Sequence, residues 1–426
     1  MQSIRTDNQH FYYSFHKRSH TTPNASLHHL NFKTTTFTPF VIQKSALLHK
    51  ESQADRLGLL GRFAQRFTYF SKSASTLSKW VLCVGAMSLF ILPVKGFLTP
   101  TTPQSISTLE KVINEGKMTI ATTKSDSTVF HHEDLLHGFG HDVAYRYADK
   151  LGVTLNLKVY DTEQEALNAL TSGQVDGFLG SSTTHAGARL VCDDGMAQTV
   201  GGYGLDTQIS LIFGADDGTM MKHANAFFCD TNEMALTTSL ARFYDQTLLD
   251  NEYSDKHFKR AISQRLPLYK HAFLQGAKAH NHDWRVLAAI SYQESHLDPN
   301  AISRTGVEGL MMLTQDTAKE MGVVNRTDAI ESIAGGAKYL EVLEKLYADV
   351  SESERLWFVL ASYNMGPNAI KRIQSELNTK GRNGNSWAEV YGYLSQNASQ
   401  NSRYVQCMHY VANIRTYLET IKTMEV

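Results

Sequence analysis

Glu294 is the residue whose position most suggests chemistry. Asp283 is placed to cap a helix beginning at Trp284. On that helix Leu287, Ile290, Glu294 and Leu297 follow one another at steps of three, four and three, so Glu294 shares the apolar face. A carboxyl held against apolar neighbours favours its neutral form. A proton retained near neutral pH is what a glycosidic general acid requires. Spacing alone also fits a glutamate at a helix end that simply reaches solvent, and taken by itself favours that blander reading.

The elements around this helix narrow the choice. A late helix over Ser402–Ile421 turns Val405, Met408, Val411, Ile414 and Leu418 to one side and would close a helical domain. Its Cys407 reads as a buried thiol. Asp298, before Pro299, reads as a turn residue. Trp387, Tyr391 and Tyr393 offer apolar faces on which sugar rings can stack, although isolated aromatics more often fill a core.

The stretch LAAISYQESHLDPNAISRTGVEGLMMLTQDTAKEMGV (287–323) closely resembles the lytic transglycosylase signature: an ES pair, a serine nine residues on, a GLM segment, then a helix to a glycine. LASYNMGPNAI at 360–370 matches the family's second signature, and Tyr404 matches a tyrosine near the start of a late helix. With QRLPLYKHAFLQGAKAHNHDWRVLAAISYQESH, the region 260–426 resembles the membrane-bound lytic murein transglycosylase F group, whose catalytic domain is lysozyme-like. The resemblance implies that Glu294 protonates the glycosidic oxygen between N-acetylmuramic acid and N-acetylglucosamine. The carboxylate then accepts the proton of the muramoyl 6-hydroxyl as a 1,6-anhydro end forms. One carboxylate serves both steps, whereas ordinary glycoside hydrolysis uses two.

The same resemblance places Ser295, Ser303, Met311, Tyr363, Asn364 and Tyr404 along the glycan. Ser303 would bond substrate or Glu294, and Tyr404 would orient the carboxyl. Ser295 is read equally well as back-bonding to its own helix. Met312 stands where many relatives carry Gln, a departure that bears on substrate contact. Glu308 is the one residue able to act as a second carboxylate, and is read first as a solvated loop residue. Two rivals therefore stand beside the lyase: a hydrolytic muramidase, and a cell-wall sensor that binds without turnover.

Upstream, residues 108 to about 250 alternate strand and helix: strands at Lys117–Thr122, Val153–Val159 and Val175–Leu179, helices at Phe139–Leu151 and Glu163–Leu170. Such alternation predicts an α/β layer on a mainly parallel sheet. GKMTIATT, HGFGHDVAYRYADKLGV and ALTSGQVDGFLGSSTTHAGAR resemble the first lobe of family 3 periplasmic solute-binding proteins, with Ile209–Gly214 and Thr219–Tyr244 as its return strand and closing helices. Only 19 residues separate Arg189 from Ile209, where such a protein carries its second lobe, so the domain is expected to be single-lobed. The resemblance implies that Arg189 holds a ligand carboxylate and that the lobe binds a muropeptide effector. A solvated surface arginine is the favoured alternative. His131, His132, His137 and His141 are read as exposed loop residues rather than a metal site.

Taken together, the fold class is α+β multidomain: a small α/β periplasmic-binding-protein-like lobe followed by a mainly α lysozyme-like domain. Trp80–Val94 is a run of fifteen residues without a charge, preceded by Arg62, Arg66, Lys72 and Lys79. With its flanks, 79–98 reads as a secretory signal or a membrane anchor. It predicts export of everything after about residue 99 to the periplasm of a Gram-negative bacterium. The resemblance implies the outer membrane, and a retained anchor the inner. Residues 1–78 have no sustained periodicity and read as an unstructured extension.

In the exported part Cys192 and Cys229 are positioned to form a disulfide within one domain. No CxxC or His/Cys cluster suggests a metal, and the implied chemistry needs no cofactor. Of 426 residues, 42% are apolar and 19% charged, ordinary values for globular protein. With 41 basic against 42 acidic residues, the net charge of -1 gives no reason to propose a nucleic-acid partner.

Overall fold

The structure, a computed structural model, describes residues 107–132, 135–181, 185–214 and 218–424. The expected extension at 1–78 and the apolar segment at 79–98 lie outside these residues. Among the described residues no helix is long and apolar enough to cross a membrane.

The first part is an α/β layer. Helix α1 (Thr108–Glu115), capped by Ser107, leads into β1 (Lys117–Thr123). A short hairpin of β2 (Phe130–His132) and β3 (Leu135–His137) precedes α2 (Phe139–Leu151), β4 (Thr154–Tyr160), α3 (Glu163–Thr171) and β5 (Gly177–Gly180). Thr162 and Glu165 close a reciprocal capping box at the start of α3, a sequence-encoded helix start. Then come β6 (Ala188–Arg189), α4 (Asp194–Gly202), β7 (Ser210–Ile212), α5 (Gly218–Phe228) and α6 (Thr231–Phe243).

The sheet order is β4-β1-β5-β7-β6. β1 pairs in parallel with β4 and β5, whereas β7 runs antiparallel to both β5 and β6. The sheet is therefore mixed: four strands share one direction, as the strand–helix alternation suggests, and β7 alone is reversed. β6 keeps the direction of β5, and after α4 the chain comes back as β7, inserted between them in the opposite direction. The stretch between Arg189 and Ile209 contains α4, and Cys192 at its entrance is disulfide-bonded to Cys229, with Cα atoms 5.5 Å apart.

The rest is helical: α7 (Glu252–Gln264), α8 (Leu266–His280), α9 (Trp284–Ser295), α10 (Gln315–Met321), α11 (Ala329–Leu346), α12 (Glu352–Met365), α13 (Pro367–Thr379), α14 (Trp387–Gln396) and α15 (Ser402–Thr423). On α15 Met408, Val411, Ile414 and Leu418 are buried and Val405 half-buried, as its period predicts. Layer and helices share one hydrophobic core. Phe243 at the end of α6 packs its ring on Trp357, Trp387 and Tyr391 at centroid distances of 5.3, 5.7 and 5.3 Å. Trp387 and Tyr391 are thus core residues, and stacking on glycan is closed to them.

Two histidines read as exposed loop residues are instead buried at this seam. His137 lies between Tyr244 and Trp357, and His141 Nδ1 is 2.7 Å from Asp142 Oδ1. His131 is exposed. Counting polar letters missed the pair because the β2–β3 hairpin turns His137 inward against α12.

Candidate active site

Helix α9 starts where Asp283 Oδ1 accepts from the backbone N–H of Arg285 at 2.9 Å. The other Asp283 oxygen lies 2.5 Å from Lys422 Nζ near the end of α15. The helix stops at Ser295 because His296 and Leu297 both take left-handed backbone angles, φ 52° and 59°. Two consecutive non-glycine residues in that region are unusual and cost backbone energy. Burial of Leu297 and the turn that follows hold them there: Asp298 N–H donates to Ser295 O, and Asn300 N–H to Asp298 Oδ1.

This abrupt end leaves Glu294 half-buried on the last turn of α9. Tyr410 Oη on α15 donates to Glu294 Oε1 at 2.7 Å. Burial raises the Glu294 carboxyl to about 7, and the Tyr410 hydrogen bond partly opposes that rise. The acid therefore holds its proton up to neutral pH. Tyr363, on α12, feels the charge of Glu294 and is itself pushed well above the usual tyrosine range, first by burial.

The segment after α9 is fastened beneath the acid. Ser291 and Ser295, one helical turn apart, both donate to the carbonyl of Leu310, at 3.2 and 2.8 Å. Ser295 also donates to Ser291 O at 3.0 Å, so its back-bond and its grip on the loop coexist. Tyr363 Oη donates to Met311 O at 2.8 Å, and Met311 N–H to Ser332 Oγ at 3.1 Å. Gly309 cannot carry a side chain: φ is 89°, and an added Cβ would come 1.8 Å from Arg326 O. Together these bonds stitch 309–311 between α9, α11 and α12.

The sequence-predicted residues fall into two groups. Glu294, Ser295 and Tyr363 are brought together around this loop. Asn364 sits beside Tyr363 on α12, half-buried, with no side-chain hydrogen bond among the described residues. The rest are placed differently. The Met311 side chain is fully buried against Gly336, so its contribution here is its backbone. Ser303 Oγ accepts from Val307 N–H at 3.0 Å and pairs with Thr305 Oγ1, which commits it to a turn and not to Glu294. Arg189, on edge strand β6, is exposed and contacts Thr207 O at 3.5 Å.

Tyr404 does not orient the carboxyl. It is buried edge-on against Tyr393, with ring centroids 6.1 Å apart. The residue on Glu294 is Tyr410, which the motif reading passed over. One signal was available: Tyr410 shares a helix face with Cys407 and Ile414, and a buried tyrosine hydroxyl needs a partner. Glu308 is tied down by Arg326, whose Nη2 is 3.3 Å away, and is not the free solvated residue expected. Cys407 is buried, its thiol pushed up to about 12 by burial.

A family model described as "Transglycosylase SLT domain" matches residues 271–385. The match runs from α8 to the residues just before α14. The sequence is 38% identical over 218 residues to a protein of Stutzerimonas stutzeri named membrane-bound lytic murein transglycosylase F, covering 48% of this chain and 45% of that one. A protein of the same name from Pseudomonas putida is 28% identical over 449 residues, covering 81% and 91%. The resemblance to the F group therefore holds, although the first of these matches spans less than half of its relative. The 70 kDa soluble lytic transglycosylase of Escherichia coli aligns at 18% identity with a TM-score of 0.30, over 47% of this chain and 32% of that one. Glu294 and the 309–311 loop lie within the matched residues, whereas Tyr410 comes from α15, beyond them.

Proposed function

We propose that this protein is a peptidoglycan lytic transglycosylase. It would cleave the β-1,4 bond between N-acetylmuramic acid and N-acetylglucosamine and leave 1,6-anhydromuramoyl ends. The observation that carries the reading is a half-buried carboxyl, Glu294, holding its proton to about pH 7 with a tyrosine hydroxyl as its hydrogen-bond partner. Protonated, it gives its proton to the departing glycosidic oxygen. As carboxylate it takes the proton of the muramoyl 6-hydroxyl while that oxygen attacks the anomeric carbon. The proton is returned to Glu294, and no water is consumed.

An inverting muramidase would need a second carboxylate to activate water, and a retaining one a carboxylate nucleophile. Glu308 is engaged by Arg326, and the shift of Glu294 is set by burial and Tyr410 without a neighbouring carboxylate. This favours the lyase over the hydrolase. Ser295 and Tyr363 hold the loop beneath the substrate, and Asn364 offers an amide to a sugar N-acetyl group. Ser303, Met311 and Tyr404 shape the surroundings from the turn, the loop backbone and α15.

The substrate would be glycan strands of the cell wall, met in the periplasm, with membrane attachment through 79–98. The relatives are named membrane-bound, and the outer membrane is the site that the sequence resemblance implies. The α/β layer would take a muropeptide, with Arg189 on its carboxylate. Digestion of purified sacculi, with the soluble products weighed, tests the reading. Anhydro-ended fragments are expected. Products 18 mass units heavier would mean a hydrolase, and no soluble product from folded protein would mean a sensor.

A further inference from the structure

Helix α15 lies along α9 and is fastened to it twice. Tyr410 reaches Glu294 near the end of α9, and Lys422 reaches Asp283 at its start. These contacts are twelve residues apart on α15 and eleven apart on α9, so the two helices run antiparallel in fixed register. Between them, five residues after Tyr410, stands Arg415. Five residues advance about 7.5 Å along a helix and roughly 140° around it, which turns Arg415 away from α9 and toward the α/β layer.

The Arg415 side chain is fully buried there. Its Nε donates to Phe243 O at 3.1 Å, and Nη2 to Asp245 O at 2.9 Å and to Thr416 Oγ1 at 3.0 Å. Nη1 meets Glu419 Oε2 at 2.5 Å. The guanidinium carbon lies 5.7 Å from the centre of the Phe243 ring and 5.3 Å from that of Tyr244. Phe243 is the last residue of α6, so the cation serves carbonyls at the end of that helix, where positive charge is favoured. A planar fork engaged this way cannot slide along the seam without leaving a buried charge unpaired.

We propose that Arg415 is a positioning residue for the acid: anchored on the end of α6, it sets the axial register of α15 and through it the Tyr410–Glu294 hydrogen bond. The inference rests on Glu294 being the acid, and it makes the α/β layer a fixed part of the acid's setting. Ionisable groups that face these contacts are Tyr363 from α12 and Cys407 from α15 at Glu294 and Tyr410, and Glu419, His137, His141, Asp142, Tyr244, Tyr391 and Lys422 around Arg415. His137 is held well below its ordinary range, first by burial and then by Arg415.

The sign follows from the Tyr410 bond, which lowers the Glu294 carboxyl against the rise from burial. Loosening it moves the acid upward. The test uses the full chain with Arg415→Lys and Arg415→Gln, each alone and combined with Tyr410→Phe. Glu294 is titrated directly by infrared difference spectroscopy against Glu294→Gln, and the basic limb of the pH–rate profile is followed on sacculi.

Both Arg415 variants are expected to move the titration upward by about half a pH unit, in the direction that Tyr410→Phe moves it. In the Tyr410→Phe background they should add nothing. Shifts that add in full on that background would overturn the proposal, as would an unchanged titration with only a lowered Tm. If Arg415→Gln does not fold, Phe243→Leu, which removes a ring beside the guanidinium, should give a smaller upward shift, and no shift counts against the proposal. The infrared reading stands even if wild type releases no product, so failure of the functional reading and failure of this one are distinct results.

Discussion

Two glutamates, one half-buried under the proposed cleft and one sealed at the seam between the α/β layer and the helices, carry nearly the same electrostatic signature. Glu294 is raised to about 7 and Glu354 to about 8, each first by burial. Their surroundings differ. Glu354 is 6% exposed, accepts from Trp387 N–H at 2.8 Å and feels Asp142 and Arg146 from α2. Glu294 is half-buried, accepts only a tyrosine hydroxyl, and ends a helix that stops short beside it. One carboxyl is sealed as a cap for the backbone of α14, and the other is left with a face for a ligand. A raised pKa marks both, and access to substrate decides which of them can do chemistry.

The largest effect that separates the two concerns activity. Glu294→Gln keeps the shape and removes the proton, and release of soluble fragments from sacculi should fall by roughly 10³-fold or more. Glu354→Gln should leave the same rate within about twofold, since no substrate reaches it. Equal losses in both variants would erase the distinction.

A second effect concerns stability. Each folded-state pKa lies above the unfolded value of 4.5, so folded protein keeps a proton that the unfolded chain has lost. Stability therefore falls as pH rises from about 4.5 to 7 for Glu294, and to about 8 for Glu354. Glutamine removes that penalty. At pH 8.5 the gain should be about 3 kcal/mol for Glu294→Gln and about 5 kcal/mol for Glu354→Gln, and nearly nothing at pH 4. Urea midpoints at the two pH values read this directly. A gain independent of pH would mean that packing, not ionisation, is the cause.

Much of this contrast was legible in the residues before any coordinates. Asp283 as cap and the spacing Leu287, Ile290, Glu294 place α9 correctly, because caps and helical period are local, although the helix stops at Ser295, short of Leu297. The reversal of β7 was not legible, since strand direction after β5 depends on how a connection returns. His137 and His141 were misread for a related reason: burial at a seam is fixed by partners far along the chain. Tyr404 and Tyr410 show the limit most clearly. Six residues on a helix rotate a side chain by roughly 240° beyond a full turn, so a tyrosine in the right helix can still face the wrong way. The motif placed the helix but not the rotation.

The finest test is therefore made at Tyr410 itself. The comparison predicts that Glu294 owes its distance from Glu354 in part to this hydroxyl, the one hydrogen bond that opposes the effect of burial. Tyr410→Phe should raise the basic limb of the pH–rate profile by less than about one unit. At pH 6, where the acid is protonated in both proteins, the rate should fall no more than about tenfold, the scale of one hydrogen bond to an ionising group. Tyr404→Phe, on another face of α15, should leave the limb in place. A limb that follows Tyr404 instead would return the orienting role to the residue the motif first suggested, and would mean that the Tyr410 contact does not persist on substrate.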